Sequence, residues 1–213
     1  RAASRVADGP GAGWYLTTSK QHPGETHLYH VPIAGGPMTQ RTMREGKYQS
    51  TVSPDGQAIA TLFADPIALP DLYLLANTPG ADEVRVTKSG TDAFYRYPWA
   101  PSEIVSYPDA NGLPTWAEIW APPATPNEAA VIYAHGCGEC AQAVDKGWTR
   151  VSARVYANYL RQNGYMAASI DYRGSSGYGH ANRTYAYRQM GISDIDSGLP
   201  LLDLLAANYG VDP

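Results

Sequence analysis

Hydrophobic positions along this chain follow two different rhythms. From about residue 13 to 97, aromatic, Thr and Val residues come in short runs separated by clusters of Gly, Pro, Asn and Asp. That spacing is the mark of an all-β region. It predicts strands over Trp14–Ser19, His27–Pro32, Gln49–Ser53, Ala58–Ala64, Leu72–Ala76 and Glu83–Thr87. Between two of them, Ser53-Pro54-Asp55-Gly56 signals a tight turn, because Pro54 presets φ and Gly56 accepts a positive φ where the chain reverses.

After Pro98-Trp99-Ala100-Pro101 the rhythm changes, which places a boundary between residues 1–98 and 99–213. A hairpin is predicted from Glu103–Tyr107 and Thr115–Trp120 around Asn111-Gly112, followed by a Pro-rich loop at Ala121–Asn127. Next come a buried-type strand at Ala129–Ala134 and a helix carrying Val151, Val155, Tyr159 and Leu160 on one stripe, ended by Gly164. Strand, loop and helix then repeat. Tyr165–Asp171 is the second strand, Arg173–Gly179 the turn, and Asp194–Asn208 a helix that Ser193 can cap and Gly210 can end. Ile195, Leu199, Leu202 and Leu205 are its expected inward face, and Pro200 should kink it. The alternation of strands and helices predicts a parallel sheet with crossovers.

Composition narrows the partners. With 44% hydrophobic and 17% charged residues, disorder is not expected. The 16 basic and 20 acidic residues are interspersed, so no basic patch calls for nucleic acid, and no run of 18 apolar residues calls for a membrane span. A peptide or small-molecule partner fits this surface. The chain opens at Arg1 with neither an initiator Met nor a leader-like pattern, so a preceding segment is expected and the compartment stays open.

One loop carries candidate chemistry. His135-Gly136-Cys137-Gly138-Glu139-Cys140 follows the strand Ala129–Ala134. Cys137 and Cys140 have the spacing of a thioredoxin-like redox pair, but the following helix is expected only near Thr149, too late for its dipole to lower a thiol pKa. His135, Cys137 and Cys140 lack a fourth ligand at a usual spacing, so no metal is assigned. A hydrolase nucleophile would need Gly-x-Ser-x-Gly. The nearest frame, Gly174-Ser175-Ser176-Gly177-Tyr178, has Tyr178 in fifth place, so neither Ser175 nor Ser176 is read as a nucleophile.

Asp171-Tyr172-Arg173-Gly174-Ser175-Ser176-Gly177-Tyr178-Gly179, with Ser193-Asp194-Ile195-Asp196 and the apolar helix after it, resembles the catalytic domain of the prolyl oligopeptidase family of serine peptidases. Trp14–Ser19 followed by Thr26–Tyr29, and the Ser53–Gly56 turn, resemble late blades of a dipeptidyl peptidase IV-like propeller, although an ordinary β-sandwich also suits these residues. The resemblance implies β-propeller blades over 1–98 followed by a partial α/β-hydrolase fold over 99–213. It also implies cleavage of short peptides through an acyl-enzyme, without a cofactor.

In that family a turn like Val211-Asp212-Pro213 leads into the nucleophile elbow, so the resemblance puts the catalytic Ser, Asp and His beyond Pro213. It makes His135, Gly136 and Cys137 the oxyanion-loop candidates, although Glu139 stands where the family's proline is usual. It gives Arg173, Gly174, Gly177 and Tyr178 a structural role, holding their loop tight and against the neighbouring domain. Expected partners are a peptide substrate and the remainder of the same polypeptide, and a homodimer of the whole enzyme is compatible. The alternatives are a thioredoxin-like redox protein using Cys137 and Cys140, and a non-catalytic, hydrolase-like binding module.

Overall fold

The computed structural model describes residues 3–124, 126–136 and 141–212. It divides into two compact units, Arg1–Pro98 with Asp145–Thr149, and Trp99–Val144 with Arg150–Pro213. Among the described residues, three four-stranded sheets, none of them closed, account for most of the regular structure.

The first unit holds two antiparallel meanders. One orders β1 (Ala3–Val6), β2 (Gly13–Thr18), β3 (His27–Pro32) and β4 (Thr39–Gln40). The other orders β5 (Lys47–Val52), β6 (Ala58–Asp65), β7 (Ala68–Ala76) and β8 (Val84–Arg85). The short strands β1 and β4, and a five-residue helix α1 (Asp92–Arg96) capped by Thr91, have no counterpart in the sequence reading. Four-residue and shorter segments carry too little periodicity to register.

Gly56 closes the Ser53 turn at φ +68, its N–H donating to the Ser53 carbonyl at 2.9 Å. A Cβ on Gly11 would lie 2.3 Å from the Gly56 carbonyl oxygen, so backbone meets backbone there and no side chain fits. Val6, Tyr15, Leu28, Ile59 and Leu75 make the apolar core of this unit.

The segment Asp145–Thr149 belongs to the same unit. Trp148 is 1% exposed, meets Phe94 edge-on at 5.0 Å and donates its indole N–H to the Pro66 carbonyl at 2.9 Å. Lys146 Nζ sits 2.8 Å from both Glu25 and Glu45.

The second unit orders β11 (Ala130–Ala134), β12 (Met166–Asp171), β10 (Pro114–Trp120) and β9 (Glu103–Pro108) in one sheet. Only the β11–β12 pair is parallel; β12–β10 and β10–β9 are antiparallel. The expected parallel sheet is therefore a mixed one, because the Asn111-Gly112 hairpin adds two antiparallel strands to the crossover pair.

Every residue of β12 is buried. Ala167 packs with Trp120, Ala157 and Leu160 on the side of helix α2 (Val151–Gln162), whereas Met166, Ala168 and Ile170 pack with Leu201 and Leu205 of helix α4 (Ser193–Tyr209). The two-residue period of the strand thus feeds two separate cores.

Both helices turn a different face inward from the one the apolar stripes suggested. On α2 the buried residues are Arg154, Ala157, Asn158 and Leu160, while Val151, Val155 and Tyr159 are exposed. Arg154 reaches Glu118 of β10 at 2.7 Å, both side chains being 2% exposed, so a charge pair occupies a place that hydropathy would give to a valine. On α4 the buried positions are Ser193, Ser197, Leu201 and Leu205, with Ile195 and Leu199 outside. Ser193 is not the cap. It lies in the first turn, where its carbonyl accepts the Ser197 hydroxyl at 2.8 Å, and Ile192 occupies the cap position without a side-chain bond.

Gly210 ends α4 in the left-handed region at φ +69, and Gly164 follows α2 at φ +87. A third helix, α3 (His180–Tyr185), is one the sequence reading left out.

Candidate functional site

Parallel pairing of Ala134 with Ile170 brings the carboxyl ends of β11 and β12 side by side, the usual place for a site in an α/β sheet. His135 and Asp171 come next on the two strands. His135 Nε2 lies 2.8 Å from Ser175 Oγ and 3.2 Å from Asp171 Oδ1, and its Nδ1 lies 2.9 Å from the Gly136 carbonyl oxygen. The imidazole stacks on Tyr172 at 4.7 Å, and the Tyr172 hydroxyl donates to the His135 carbonyl at 2.9 Å.

Ser, His and Asp in contact invite comparison with a hydrolytic triad, but the arrangement is wrong for one. A triad uses the two imidazole nitrogens for different partners, one facing the nucleophile and the other held by the carboxylate. Here a single nitrogen faces both, and Ser175 is fully buried. No substrate carbonyl can approach that hydroxyl. The cluster is therefore structural.

Asp171 is its hub. Oδ1 accepts the Ala143 N–H at 2.5 Å, and Oδ2 accepts the Val144 N–H at 3.1 Å and the Tyr178 hydroxyl at 2.6 Å. One carboxylate thereby holds both ends of the loop between β11 and Val144. Its charge also reaches Tyr107. Burial, with the charges of Asp171 and Asp109 added to it, pushes that phenol well above its usual range, so it stays a donor, to the Ser197 carbonyl at 2.7 Å.

The Arg173–Gly179 loop is held within the second unit. Arg173 lies over the Tyr185 ring at 4.1 Å, and its N–H meets Ser197 Oγ at 3.3 Å. Tyr178 bonds Asp171 and stacks near Trp116. Gly174 has φ +119 and Gly177 φ +101, and a Cβ on Gly174 would meet the Ala186 Cβ.

Above the cluster opens a cavity of about 560 Å³. His135, Gly136 and Tyr172 line it from the strand ends, and Arg183, Tyr187 and Met190 from α3 and the turn after it. Gly136 is exposed, and a Cβ added to it would meet nothing within 4 Å. Its N–H has no hydrogen-bond partner among the described residues. Cys137, the third oxyanion-loop candidate, and Cys140, its partner in the redox alternative, lie outside the described residues. Among the described residues no group of three His, Cys, Asp or Glu side chains is placed to hold a metal.

Sequence reasoning missed Asp171 as the hub, and with it Ser175, Tyr172 and the wall from α3. The one available signal was an acidic residue ending a strand that is otherwise buried, which demands several donors close by.

Residues 151–213 match the model of the prolyl oligopeptidase family. The matched segment runs from α2 through β12 and α3 to the end of α4, and includes the Asp171–Gly179 stretch. It supports a relationship of this part of the chain to the serine peptidases of that family, and reaches no particular branch.

Proposed function

We propose that this chain contributes to a serine peptidase of the prolyl oligopeptidase family that cleaves short peptides through an acyl-enzyme. The observation that carries the reading is the family match over residues 151–213. On this reading the first unit supplies blades of a β-propeller of the dipeptidyl peptidase IV-like kind, and the second supplies part of an α/β-hydrolase domain. The catalytic Ser, Asp and His are not among residues 1–213.

The role assigned to this chain is binding and electrostatic stabilisation. Gly136 lines the cavity, and its N–H, without a partner among the described residues, is a candidate oxyanion donor. One such preorganised amide can contribute about 3 kcal/mol to the transition state. The apolar walls from Tyr172, Tyr187 and Met190 suit a peptide side chain, and Arg183 adds a polar contact.

Fluorophosphonate labelling of the protein in its producing cells, with the labelled peptide mapped, tests this. The expected result is a single labelled serine outside residues 1–213, together with hydrolysis of short chromogenic peptides. Label on Ser175 or Ser176 would overturn the assignment. No label and no hydrolysis would favour a binding relative.

A further inference from the structure

We propose that His30 is an acid-operated release within the first unit. Neutral, its ring accepts Arg41 and lets that residue tie the two meanders together; protonated, it expels Arg41 and opens the tie. None of the residues involved lines the cavity read above as part of a peptidase site.

The tie runs through Asn77, which follows β7 of the second meander. Its side-chain oxygen accepts the Arg41 Nε–H at 3.0 Å, and its side-chain nitrogen donates to the Tyr15 hydroxyl and, at 2.7 Å, to the Gly56 carbonyl. Tyr15 belongs to β2, and its hydroxyl donates in turn to the Gly11 carbonyl at 2.8 Å. Arg41 follows β4, so two side chains of the first meander converge on one amide of the second. Arg41 also fixes which way that amide points. With Oδ1 turned to the guanidinium, Nδ2 is left for Tyr15 and Gly56.

His30, on β3, decides whether Arg41 can stay. A guanidinium only donates, so the 3.1 Å contact from Arg41 Nη2 requires an unprotonated Nδ1. A carbonyl only accepts, so the 3.3 Å contact with Ala12 requires the proton on Nε2. The ring is therefore neutral. A proton arriving from solvent can bind only at Nδ1, where it would point at a donor that never loses its charge. One of the two groups must then leave.

The ring has no room to move. His30 is 7% exposed, packs against Tyr15 with ring centroids 4.8 Å apart, and meets Gly13 so closely that a Cβ there would lie 2.3 Å from Nε2. Tyr15 and the Ala12 and Gly13 backbone face it from the β2 side, and Arg41 from the β4 side. Arg41 is half-buried, and among the described residues no carboxylate pairs with it, so nothing holds the guanidinium against a charged ring.

His27, three residues earlier on the same strand, has the opposite surroundings. Its Nδ1 lies 2.9 Å from the Thr42 carbonyl and its Nε2 2.9 Å from the Glu25 carboxylate, two acceptors that a second ring proton suits. Acid leaves one histidine bonded and unseats the partner of the other.

Two experiments on the whole protein test this. Long-range ¹H–¹⁵N correlation with ¹⁵N-labelled histidine, the His30 signals identified by their loss in His30→Asn, should show the proton on Nε2 at the alkaline end of a titration. A proton on Nδ1 there would overturn the inference.

Hydrogen exchange read by mass spectrometry then compares variants at the same pH, which cancels the intrinsic pH dependence of exchange. Asn places its amide oxygen about where Nδ1 stands, so His30→Asn accepts Arg41 and binds no proton. On the alkaline side of the His30 titration, peptides covering Gly11–Tyr15 and Gly56 should exchange alike in the parent and in His30→Asn. On the acid side the parent should exchange about tenfold faster. Arg41→Met lacks the tie altogether and should show the faster exchange at both pH values. Equal rates in the parent and His30→Asn on the acid side, or slow exchange in Arg41→Met, would mean that protonation of His30 releases nothing, and the inference would fail.

Discussion

Ala110, in the turn between β9 and β10, donates its N–H to the Asp196 carbonyl of α4 at 2.9 Å. That carbonyl is the one Pro200, four residues on, cannot bond because it has no N–H. The helix runs from Ser193 to Tyr209 with the proline inside it, and the orphaned acceptor ties the helix to the hairpin.

Replacing Pro200 should accordingly bring little. In an isolated helix the change from proline to alanine is favourable by about 3 kcal/mol. Pro200→Ala here would supply an N–H to an oxygen that already has a donor, so the expected gain is below about 1 kcal/mol. Urea denaturation of the two proteins measures it; a gain near the full helix-propensity value would show that the Ala110 bond contributes nothing.

The buried pair Arg154–Glu118 makes an asymmetric prediction. Arg154→Met strands a buried carboxylate and should cost about 3–5 kcal/mol, whereas adding Glu118→Leu should recover most of that loss. A double-mutant cycle by chemical denaturation decides. Additive losses would mean that the two side chains are held independently.

Two glycines at the site should respond in opposite ways. Gly174→Ala meets both a φ of +119 and the Ala186 Cβ, and should destabilise by about 2–3 kcal/mol. Gly136→Ala opens into empty space and should change stability by less than about 0.5 kcal/mol. Thermal melts of both variants check the contrast, which disappears if the Arg173–Gly179 loop can shift.

Acid should weaken the first unit through Asp71. Burial alone would raise its pKa, but hydrogen bonds from Ser89, Thr87 and Arg85 prevail and hold it below the ordinary carboxylate value. A lowered folded pKa means that the unfolded chain binds the proton more readily. The stabilisation is present above the unfolded value near 3.8, and is lost as pH falls through the lower folded value. Asp71→Asn should flatten the stability profile in that acid range, measured by denaturant unfolding at successive pH values. An unchanged slope would assign the acid sensitivity to other groups, Glu25 first among them: burial raises its pKa, and bonds from Lys146 and His27 lower it further than that.

Local chemistry made much of this chain legible. Strands β2, β3, β6 and β7, the Ser53–Gly56 turn, the Asn111-Gly112 hairpin and the glycine stops at 164 and 210 depend on residues within a few positions of one another, and periodicity and backbone freedom report them directly. The Asp171–Gly179 stretch, nine consecutive residues, lies within the segment that matches the prolyl oligopeptidase family model.

Tertiary structure decided the rest. α4 has two apolar stripes, Ile195 with Leu199 and Leu201 with Leu205, and the sequence holds no means of choosing between them; the inward one is whichever lies over Met166, Ala168 and Ile170. α2 turns Arg154 inward because Glu118 waits on a strand 36 residues away. The site follows the same rule. His135 meets Ser175 across 40 residues, and only the parallel register of β11 on β12 sets that distance, since hydrogen-bonding partners that far apart leave no mark on the local pattern that a sequence displays.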